Sequence, residues 1–381
     1  MNFFLKLLIL SFISIGNIST AFSDTSSENL QNFLDKWRVQ KKVTGVIILI
    51  KVPAKQDIFT SGTTQLNNKD PITKNTLFAV GSITKTFTSA MILRLEADGK
   101  LNINDKIGHY FPEYPRWKNI TIKQLLNMTS GIENYTENKE WVKNLQNNFT
   151  ITWTTNELIN IAYQEPDYFK PGKGWHYSNT NYVLLGKIIE AITHQPLSQS
   201  FQAQFFQPLG LKNTYFNENY YSSNVLKRMA HGYDEYQDVT TTILAKNLSN
   251  IGPAGGGMVM DSVDLESWIN HLLIIKDILP PKQLEEMLDG VRTPPNKKID
   301  LPNSKYGLGI GIAESNKLGK MISYAGTFPG YGSTFIYLPK FNTLIITQMN
   351  VDREGNDESS YLHFPNQSLI QGIINKEIAP I

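Results

Sequence analysis

The stretch from residue 78 to residue 97 constrains the fold most, because it predicts a long helix that opens at Gly81-Ser82 and has a wide apolar surface. Beyond Lys85, Arg94 and Glu96 are the only charged residues before Asp98-Gly99, where glycine allows the left-handed turn that commonly ends a helix. A helix with so wide an apolar surface and so few charges should be mostly buried. The chain has 381 residues, 41% of them hydrophobic, which is enough to surround such a helix with a sizeable core.

Short β-strands are predicted near both ends of the chain, with helices between them. Residues 43–52 and 59–62 predict a hairpin, since a β-branched run is interrupted by Pro53 before a second run follows. In the last third, apolar runs separated by Gly, Pro and Asn predict an antiparallel meander, with strands at 306–310, 320–325, 334–338 and 344–348. Helices are expected at 30–37, 120–127, 182–192 and 368–374, and an irregular insertion at 132–156.

These patterns together predict one α+β fold rather than separate domains. Strands from about 40–65 and about 300–350 are expected to form one antiparallel sheet flanked by helices, so that the sheet joins the two ends of the chain. Residues from about 100 to 257 are expected to form a helical subdomain. We find no internal repeat or low-complexity tract in the sequence.

The first residues predict a targeting segment rather than part of the fold. An apolar run at 3–15 follows Met1 and is followed by small and polar residues ending in Ser23, which is the layout of a secretory signal peptide. We expect cleavage after Ser23, leaving a folded domain at 24–381 that is periplasmic or secreted. An uncleaved anchor is the alternative, although the run is shorter than the roughly 20 apolar residues that a membrane span needs.

Composition excludes several kinds of function. The chain has no cysteine, which rules out disulfides, thiolate metal sites and a cysteine nucleophile, and a cysteine-free exported protein fits a bacterial periplasm. A net charge of +2 gives no reason to expect nucleic acid as a partner. The histidines show no metal-ligand spacing, and we expect neither a metal nor a cofactor. The oligomeric state is not indicated by the sequence.

Ser82 and Lys85 form the first candidate for catalysis. They are three positions apart at the start of the apolar helix, so they would lie on the same face, one turn apart. A desolvated lysine amine can take the proton of a serine hydroxyl, and the helix N-terminus offers N–H groups to an oxyanion. A helix cap beside a surface lysine is the alternative interpretation.

Two further motifs strengthen this candidate. Tyr177-Ser178-Asn179 lies just before a buried helix, and Tyr324-Ala325-Gly326-Thr327 lies at the end of a predicted strand. A nucleophile on a helix start, a Tyr/Asn pair on a loop and a glycine-bearing strand are the parts of a penicillin-recognising serine site. A capped turn and a plain strand turn remain the structural alternatives for these two motifs.

On these three motifs the chain resembles the serine β-lactamase and penicillin-binding protein superfamily. It is most similar to the branch of class C β-lactamases, DD-peptidases and related esterases. The resemblance extends from about residue 30 to residue 350 and includes further motifs in order, at 125–131, 182–186, 208–211, 255–257 and 306–309.

The resemblance implies a role for each motif residue. Ser82 would be the nucleophile that forms an acyl-enzyme, while Lys85 and Tyr177 would share the role of base and protonate the leaving group. Asn179 would hold Lys85 and an amide of the substrate. The backbone N–H groups of Ser82 and Thr327, beside Gly326, would form the oxyanion hole.

The third motif departs from the family pattern. The branch usually has Lys or His at the position of Tyr324, often with Ser or Thr at that of Ala325, and these groups bind a substrate carboxylate. A neutral hydrogen bond is weaker than one to a charged group, so carboxylate recognition should be weaker here unless Arg353 supplies the charge.

The resemblance therefore implies an exported serine acyl hydrolase. A D-alanyl-D-alanine carboxypeptidase-like activity on cell-wall peptides is favoured. A carboxylesterase or β-lactamase of the same fold is the first alternative, so the substrate would be a small peptide, an ester or a β-lactam. A non-catalytic module that binds peptidoglycan or a partner protein is the second alternative.

Overall fold

The computed structural model describes residues 27–53, 55–147, 151–216, 221–234, 237–240, 252–294 and 304–351. The predicted signal peptide, the predicted helix at 368–374 and Arg353 lie outside these ranges. In the described part of the chain, none of the helices has the length and apolarity needed to cross a membrane.

Eleven α-helices are found in the described ranges. In chain order they are α1 (Ser27–Lys41), α2 (Thr84–Ala97), α3 (Ile122–Leu126), α4 (Lys139–Asn147), α5 (Thr155–Gln164), α6 (Asn179–Thr193), α7 (Leu197–Phe201), α8 (Ser223–Arg228), α9 (Pro253–Gly256), α10 (Ser262–Ile269) and α11 (Pro281–Leu288). Short 3₁₀ turns at Gly81–Ile83 and Tyr135–Glu137 become important at the site.

The strands are β1 (Gly45–Val52), β2 (Lys55–Gly62), β3 (Phe78–Ala79), β4 (Thr214–Phe216), β5 (Tyr233–Asp234), β6 (Gln237–Asp238), β7 (Met258–Met260), β8 (Val291–Arg292), β9 (Lys305–Tyr306), β10 (Gly311–Ser315), β11 (Gly319–Phe328), β12 (Tyr331–Leu338) and β13 (Thr343–Met349). Eight of them form the main sheet, in the order β2-β1-β13-β12-β11-β10-β9-β8. Every neighbouring pair in this sheet is antiparallel. The predicted α+β class is confirmed.

Strands from the two ends of the described chain pair with each other in this sheet, next to its edge strand β2. Strand β1 pairs with β13, for example at Leu49 and Ile346. Side chains alternate between the two faces of a strand, so Ile47 and Leu49 enter the larger core while Val46 and Ile48 enter a smaller one. Helix α1 covers the second face with Leu34 and Trp37. Because both faces are covered, β1 is apolar at nearly every position.

Helix α2 lies at the centre of the larger core, as its apolar sequence predicts. All of its residues from Thr84 to Leu93 are buried. Phe87 stacks on Trp268 of α10 with ring centroids 3.7 Å apart, and it meets the rings of Phe201 and Phe205 edge to face. Helices α6, α9 and α11 also contact α2, in the core on the face of the sheet opposite α1.

Two sequence-based expectations about the elements were wrong. The supposed irregular insertion contains the 3₁₀ turn at Tyr135–Glu137 and helix α4, where Asn138 Oδ1 accepts from the N–H groups of Glu140 and Trp141. The abundance of Asn and Thr concealed this capped amphipathic helix.

The strand expected at 306–310 was also misplaced. Strand β9 ends at Tyr306, and β10 begins only at Gly311. Gly309 has a positive φ of 77°, which an extended strand does not accommodate. The N–H of Gly307 donates to the carbonyl of Ile310 across the resulting turn, so the buried apolar residues here belong to a turn rather than to a strand.

Candidate active site

Ser82 lies in the 3₁₀ turn that leads directly into α2, beside the end of β11. Gly81 has a φ of 49°, and a Cβ atom there would overlap the backbone of Thr327. A Cβ atom on Gly326 would overlap the carbonyl oxygen of Val80 and lie 2.8 Å from the Ser82 nitrogen. Only glycine at both positions allows the strand and the turn to approach this closely.

The two expected oxyanion donors are brought together by this approach. The position of a Cβ on Gly81 would be 2.9 Å from the nitrogen of Thr327, so the N–H groups of Ser82 and Thr327 belong to two backbone segments in direct contact. Such a pair, on either side of a nucleophile, is the usual construction of an oxyanion hole.

Lys85 lies one helical turn after Ser82 and is completely buried. Its Nζ is 3.1 Å from Ser82 Oγ, 2.8 Å from Asn179 Oδ1 and 2.6 Å from the carbonyl oxygen of Gly255. Burial lowers the pKa of Lys85 well below its ordinary value of 10.5, because an ammonium group loses its hydration. The alternative of a surface lysine is therefore wrong.

Tyr177 lies on the other side of the nucleophile. Its hydroxyl is 2.8 Å from Ser82 Oγ, and its ring lies 4.9 Å from the Lys85 Nζ. Burial raises the pKa of the Tyr177 phenol well above 10, although the hydrogen bond to Ser82 opposes the shift. The phenol therefore keeps its proton at neutral pH.

The hydrogen bonds of this cluster can be satisfied with both Lys85 and Tyr177 neutral. Lys85 Nζ lies within donating distance of Ser82 Oγ, Asn179 Oδ1 and the Gly255 carbonyl. Once the amine has lost a proton, its two remaining N–H groups can serve Asn179 and Gly255 while its lone pair is directed at Ser82. The hydroxyl of Ser82 then donates to this lone pair and accepts from Tyr177. This arrangement prepares a proton transfer from Ser82 to Lys85 as the serine attacks a carbonyl.

Asn179, the first residue of α6, is held in place by residues that were not identified as site residues from the sequence. Its Nδ2 donates to Thr136 Oγ1 at 3.0 Å, and its backbone N–H donates to Asn134 Oδ1 at 3.0 Å. Neither the residue types nor the local sequence around Asn134, Thr136 and Gly255 indicate a catalytic role. Only Gly255 belonged to a stretch that supported the family resemblance.

Tyr324 lies in β11 but is buried, with 3% of its surface exposed. Its hydroxyl is 2.6 Å from the hydroxyl of Tyr306, at the end of β9. Burial raises the pKa of both phenols, so this position presents a neutral, internally bonded pair where the family usually has a cation. The structure describes no lysine or arginine bonded to either hydroxyl.

The residues predicted from the three motifs thus converge. Ser82, Lys85, Tyr177 and Asn179 form one continuous set of hydrogen bonds, and Gly326 touches the turn that carries Ser82. Within the described ranges, no group of His, Asp and Glu side chains could hold a metal ion.

Comparison with known proteins agrees with this geometry. The family model described as Beta-lactamase matches residues 27–363. Penicillin-binding protein 4* of Bacillus subtilis strain 168 is 29% identical over 300 residues, which are 74% of this chain and 63% of that protein. Protein flp of Staphylococcus aureus strain MW2 is 30% identical over 300 residues, 77% of this chain and 56% of that protein. The chain thus spans less than two thirds of the length of these relatives.

Two solved structures resemble the whole fold. The D-amino acid amidase of Ochrobactrum anthropi SV3, solved with L-phenylalanine amide, has a TM-score of 0.78 and 26% identity, covering 92% of this chain and 99% of the amidase. A D-stereospecific amidohydrolase from Streptomyces has a TM-score of 0.76 and 25% identity, covering 94% of this chain and 100% of its own. The family match over most of the chain confirms the resemblance found in the motifs: this chain belongs to the Beta-lactamase family.

Proposed function

We propose that this chain is an exported serine acyl hydrolase that works through an acyl-Ser82 intermediate. The observation that carries the proposal is the buried hydrogen-bonded set of Tyr177, Ser82 and Lys85. A lysine buried without a carboxylate partner is costly. A module that only binds peptidoglycan or a partner protein has no need of such a lysine beside a serine hydroxyl, which argues against the non-catalytic alternative.

The geometry supports the following sequence of bond changes. Ser82 Oγ forms a bond to the substrate carbonyl carbon while its proton passes to the Lys85 amine. The N–H groups of Ser82 and Thr327 stabilise the oxyanion. When the bond to the leaving group breaks, Tyr177 donates its proton to the departing nitrogen or oxygen. Tyr177 in turn takes up the proton that Lys85 accepted from Ser82, so both groups are neutral again. Water then cleaves the acyl-enzyme, which releases the acid and restores Ser82.

For the substrate we favour an amide or peptide bond next to a D-amino acid, as in the stem peptides of the cell wall. This choice is supported by the relatives, which include a penicillin-binding protein, a D-stereospecific amidohydrolase and a D-amino acid amidase. A D-alanyl-D-alanine carboxypeptidase-like activity belongs to this class of reaction.

Covalent labelling tests the acyl-serine directly. Incubation with a fluorescent penicillin should add one adduct mass to the intact protein, and Ser82→Ala should abolish it. Ser89→Ala is the matched control, because Ser89 is a buried serine of the same helix that bonds to Tyr182 rather than to the reacting groups. Persistence of the adduct in Ser82→Ala would overturn the acyl-Ser82 intermediate. Absence of an adduct on the wild-type protein at any dose would overturn the penicillin-recognising activity.

A carboxylesterase is the second candidate, and the Tyr324–Tyr306 pair favours it. Esters need no carboxylate-binding cation, and none is described beside these two hydroxyls. Turnover of a short-chain nitrophenyl ester with none of a D-Ala-D-Ala peptide would favour the esterase. Tyr324→His should raise activity on carboxylate-bearing substrates if this position contacts them; an unchanged activity would place carboxylate binding elsewhere.

Export is proposed from the first 23 residues alone. Expression of the full chain in a bacterial host should yield a periplasmic or secreted product that begins at Asp24. The intact mass of the product distinguishes this outcome from an uncleaved anchor, which would retain Met1 and sediment with the membrane.

A further inference from the structure

Residues 133–137, which we call the support loop, bind the Tyr177–Asn179 motif through several buried hydrogen bonds. The hydroxyls of Ser178 and Thr180 both donate to the carbonyl oxygen of Glu133, at 3.1 and 2.7 Å. The backbone N–H of Asn179 donates to Asn134 Oδ1 at 3.0 Å. The support loop therefore fixes the backbone from which Asn179 projects.

The orientation of the Asn179 amide follows from this backbone bond in three steps. A backbone N–H can only donate, so the Asn134 atom that it meets has to be the amide oxygen. Thr136 Oγ1 lies 2.9 Å from the same oxygen and therefore donates its only hydrogen to it. The Thr136 oxygen is left as an acceptor, and it faces the Nδ2 of Asn179 at 3.0 Å.

The remaining end of the Asn179 amide is its oxygen, which faces Lys85 at 2.8 Å. This orientation leaves the lone pair of a neutral amine free, because Asn179 accepts from Lys85 rather than donating to it. If the amide were rotated by 180°, its NH₂ group would donate to that lone pair and would repel an ammonium ion. The base would then be occupied and its pKa lowered further.

We propose that Thr136 is a positioning residue that holds the Asn179 amide oxygen toward Lys85, so that the lone pair of Lys85 remains directed at Ser82. The inference rests on the proposed function, because it concerns the base of that reaction. Thr136 is 2% exposed and Asn134 is fully buried, so water does not readily replace either group. Asn134 is itself anchored, since its Nδ2 donates to Glu137 Oε1 at 3.1 Å.

The test compares Thr136→Val, Thr136→Ser and the wild-type protein. Valine keeps the shape of threonine but offers no acceptor to Asn179. We expect the acylation rate constant at the optimal pH to fall at least about tenfold. The ascending limb of the pH profile should also move to lower pH. Thr136→Ser keeps the hydroxyl and should restore both the rate constant and the position of the limb.

Thr180→Val is the matched control. This substitution also removes a buried threonine hydroxyl between the support loop and the Tyr177–Asn179 region. Thr180, however, bonds to the Glu133 carbonyl and the Tyr135 N–H, not to the Asn179 side chain. We expect Thr180→Val to lower thermal stability without moving the pH profile. If Thr136→Val is too unstable to assay, Thr136→Ala serves in its place.

A wild-type pH profile and rate constant in the Thr136 variants would overturn the inference while leaving the proposed function intact. The inference would also be overturned if Thr180→Val shifted the pH profile as far as Thr136→Val does. The shift would then come from any disturbance of the contact between the support loop and the Tyr177–Asn179 motif, not from the Asn179 amide in particular. A wild-type protein that forms no acyl-enzyme with a penicillin and does not turn over a nitrophenyl ester would instead contradict the proposed function itself.

Discussion

At the scale of single residues, Lys85 determines what chemistry is available to Ser82. Its three hydrogen-bond partners are a hydroxyl, an amide oxygen and a backbone carbonyl, none of which carries a negative charge. Loss of hydration is therefore not offset by an ion pair, and the pKa of Lys85 is lowered accordingly. The lowered pKa supplies an amine base at a pH where an exposed lysine would be protonated.

The pH dependence of acylation should report this shift. As pH rises through the pKa of Lys85, the amine loses its proton and becomes able to accept one from Ser82, so the rate constant should rise. We expect the midpoint of the ascending limb to lie well below 10.5, the ordinary pKa of lysine. The measurement is the second-order rate constant for labelling by a fluorescent penicillin at a series of pH values. A rate constant that keeps rising to about pH 10 would contradict a buried amine base.

The role of Tyr177 can be tested separately from that of Lys85. Burial keeps its phenol protonated at neutral pH, so we assign it to the leaving group rather than to the base. Tyr177→Phe should therefore slow cleavage of an amide much more than cleavage of a nitrophenyl ester, because a nitrophenolate leaves without being protonated. Equal losses on the two substrates would instead indicate that Tyr177 acts before the leaving group departs.

At the scale of elements, the site depends on how closely β11 approaches the turn at Gly81–Ile83. A methyl group on Gly326 would overlap the Val80 carbonyl, so Gly326→Ala has to separate the strand from the turn. We expect unfolding to become easier by about 3 kcal/mol. The rate of acylation should fall about 100-fold, because Thr327 moves away from the oxyanion. Thermal unfolding and labelling by penicillin measure the two effects.

Gly256→Ala is the matched control for Gly326→Ala. Gly256 ends helix α9 close to Gly81, but a Cβ atom there would meet the Gly81 carbonyl carbon only at 3.8 Å, which is ordinary contact. Stability should change by less than about 1 kcal/mol, and acylation should persist. A similar loss of activity in both variants would show that the close approach of strand and turn is not what matters.

The elements that could be predicted from the sequence are those with a strong local pattern. Helix α2 has a wide apolar surface and only three charged residues, and it was predicted within a few residues. The hairpin of β1 and β2 follows from its β-branched run. Helix α4 was missed because Asn and Thr are abundant in the segment 132–156 that contains it, although Trp141, Val142 and Leu145 lie within the helix. The turn at Gly307–Gly309 was mistaken for a strand because its buried residues are as apolar as those of a strand.

The site residues, like the elements, could be predicted only where they belong to a local sequence pattern. Ser82, Lys85, Tyr177 and Asn179 could be named because each belongs to a short motif. Thr136 could not be predicted, because its relevance comes from a hydrogen bond to a residue 43 positions away. The carbonyl of Gly255, which accepts from Lys85 across 170 positions, has no side chain that could have signalled a role. Long-range contacts of this kind depend on the packed fold and leave no local pattern.

At the scale of the whole molecule, the site collects residues from distant parts of the chain around one core. The larger hydrophobic cluster contains Leu49 and Ile346 from the sheet, Phe87 from α2 and Trp117 from the helical region. It is continuous across the boundary between sheet and helices, where Ser82 lies. Displacing either part would therefore disturb both the core and the reacting groups.

This continuity leads us to expect that the sheet and the helical region unfold together. The chain contains no cysteine, so no disulfide can hold one part while the other unfolds, and a reductant should not change the transition. Far-UV circular dichroism follows all elements. Tryptophan fluorescence reports mainly on the larger cluster, which contains Trp117, Trp141 and Trp268 and has Trp153 and Trp175 packed against it. The two signals should give coincident thermal or urea transitions, with equal calorimetric and van't Hoff enthalpies where unfolding is reversible. Separate transitions would mean that the helical region is an independent unit, and that the contacts around Ser82 can open without loss of the sheet.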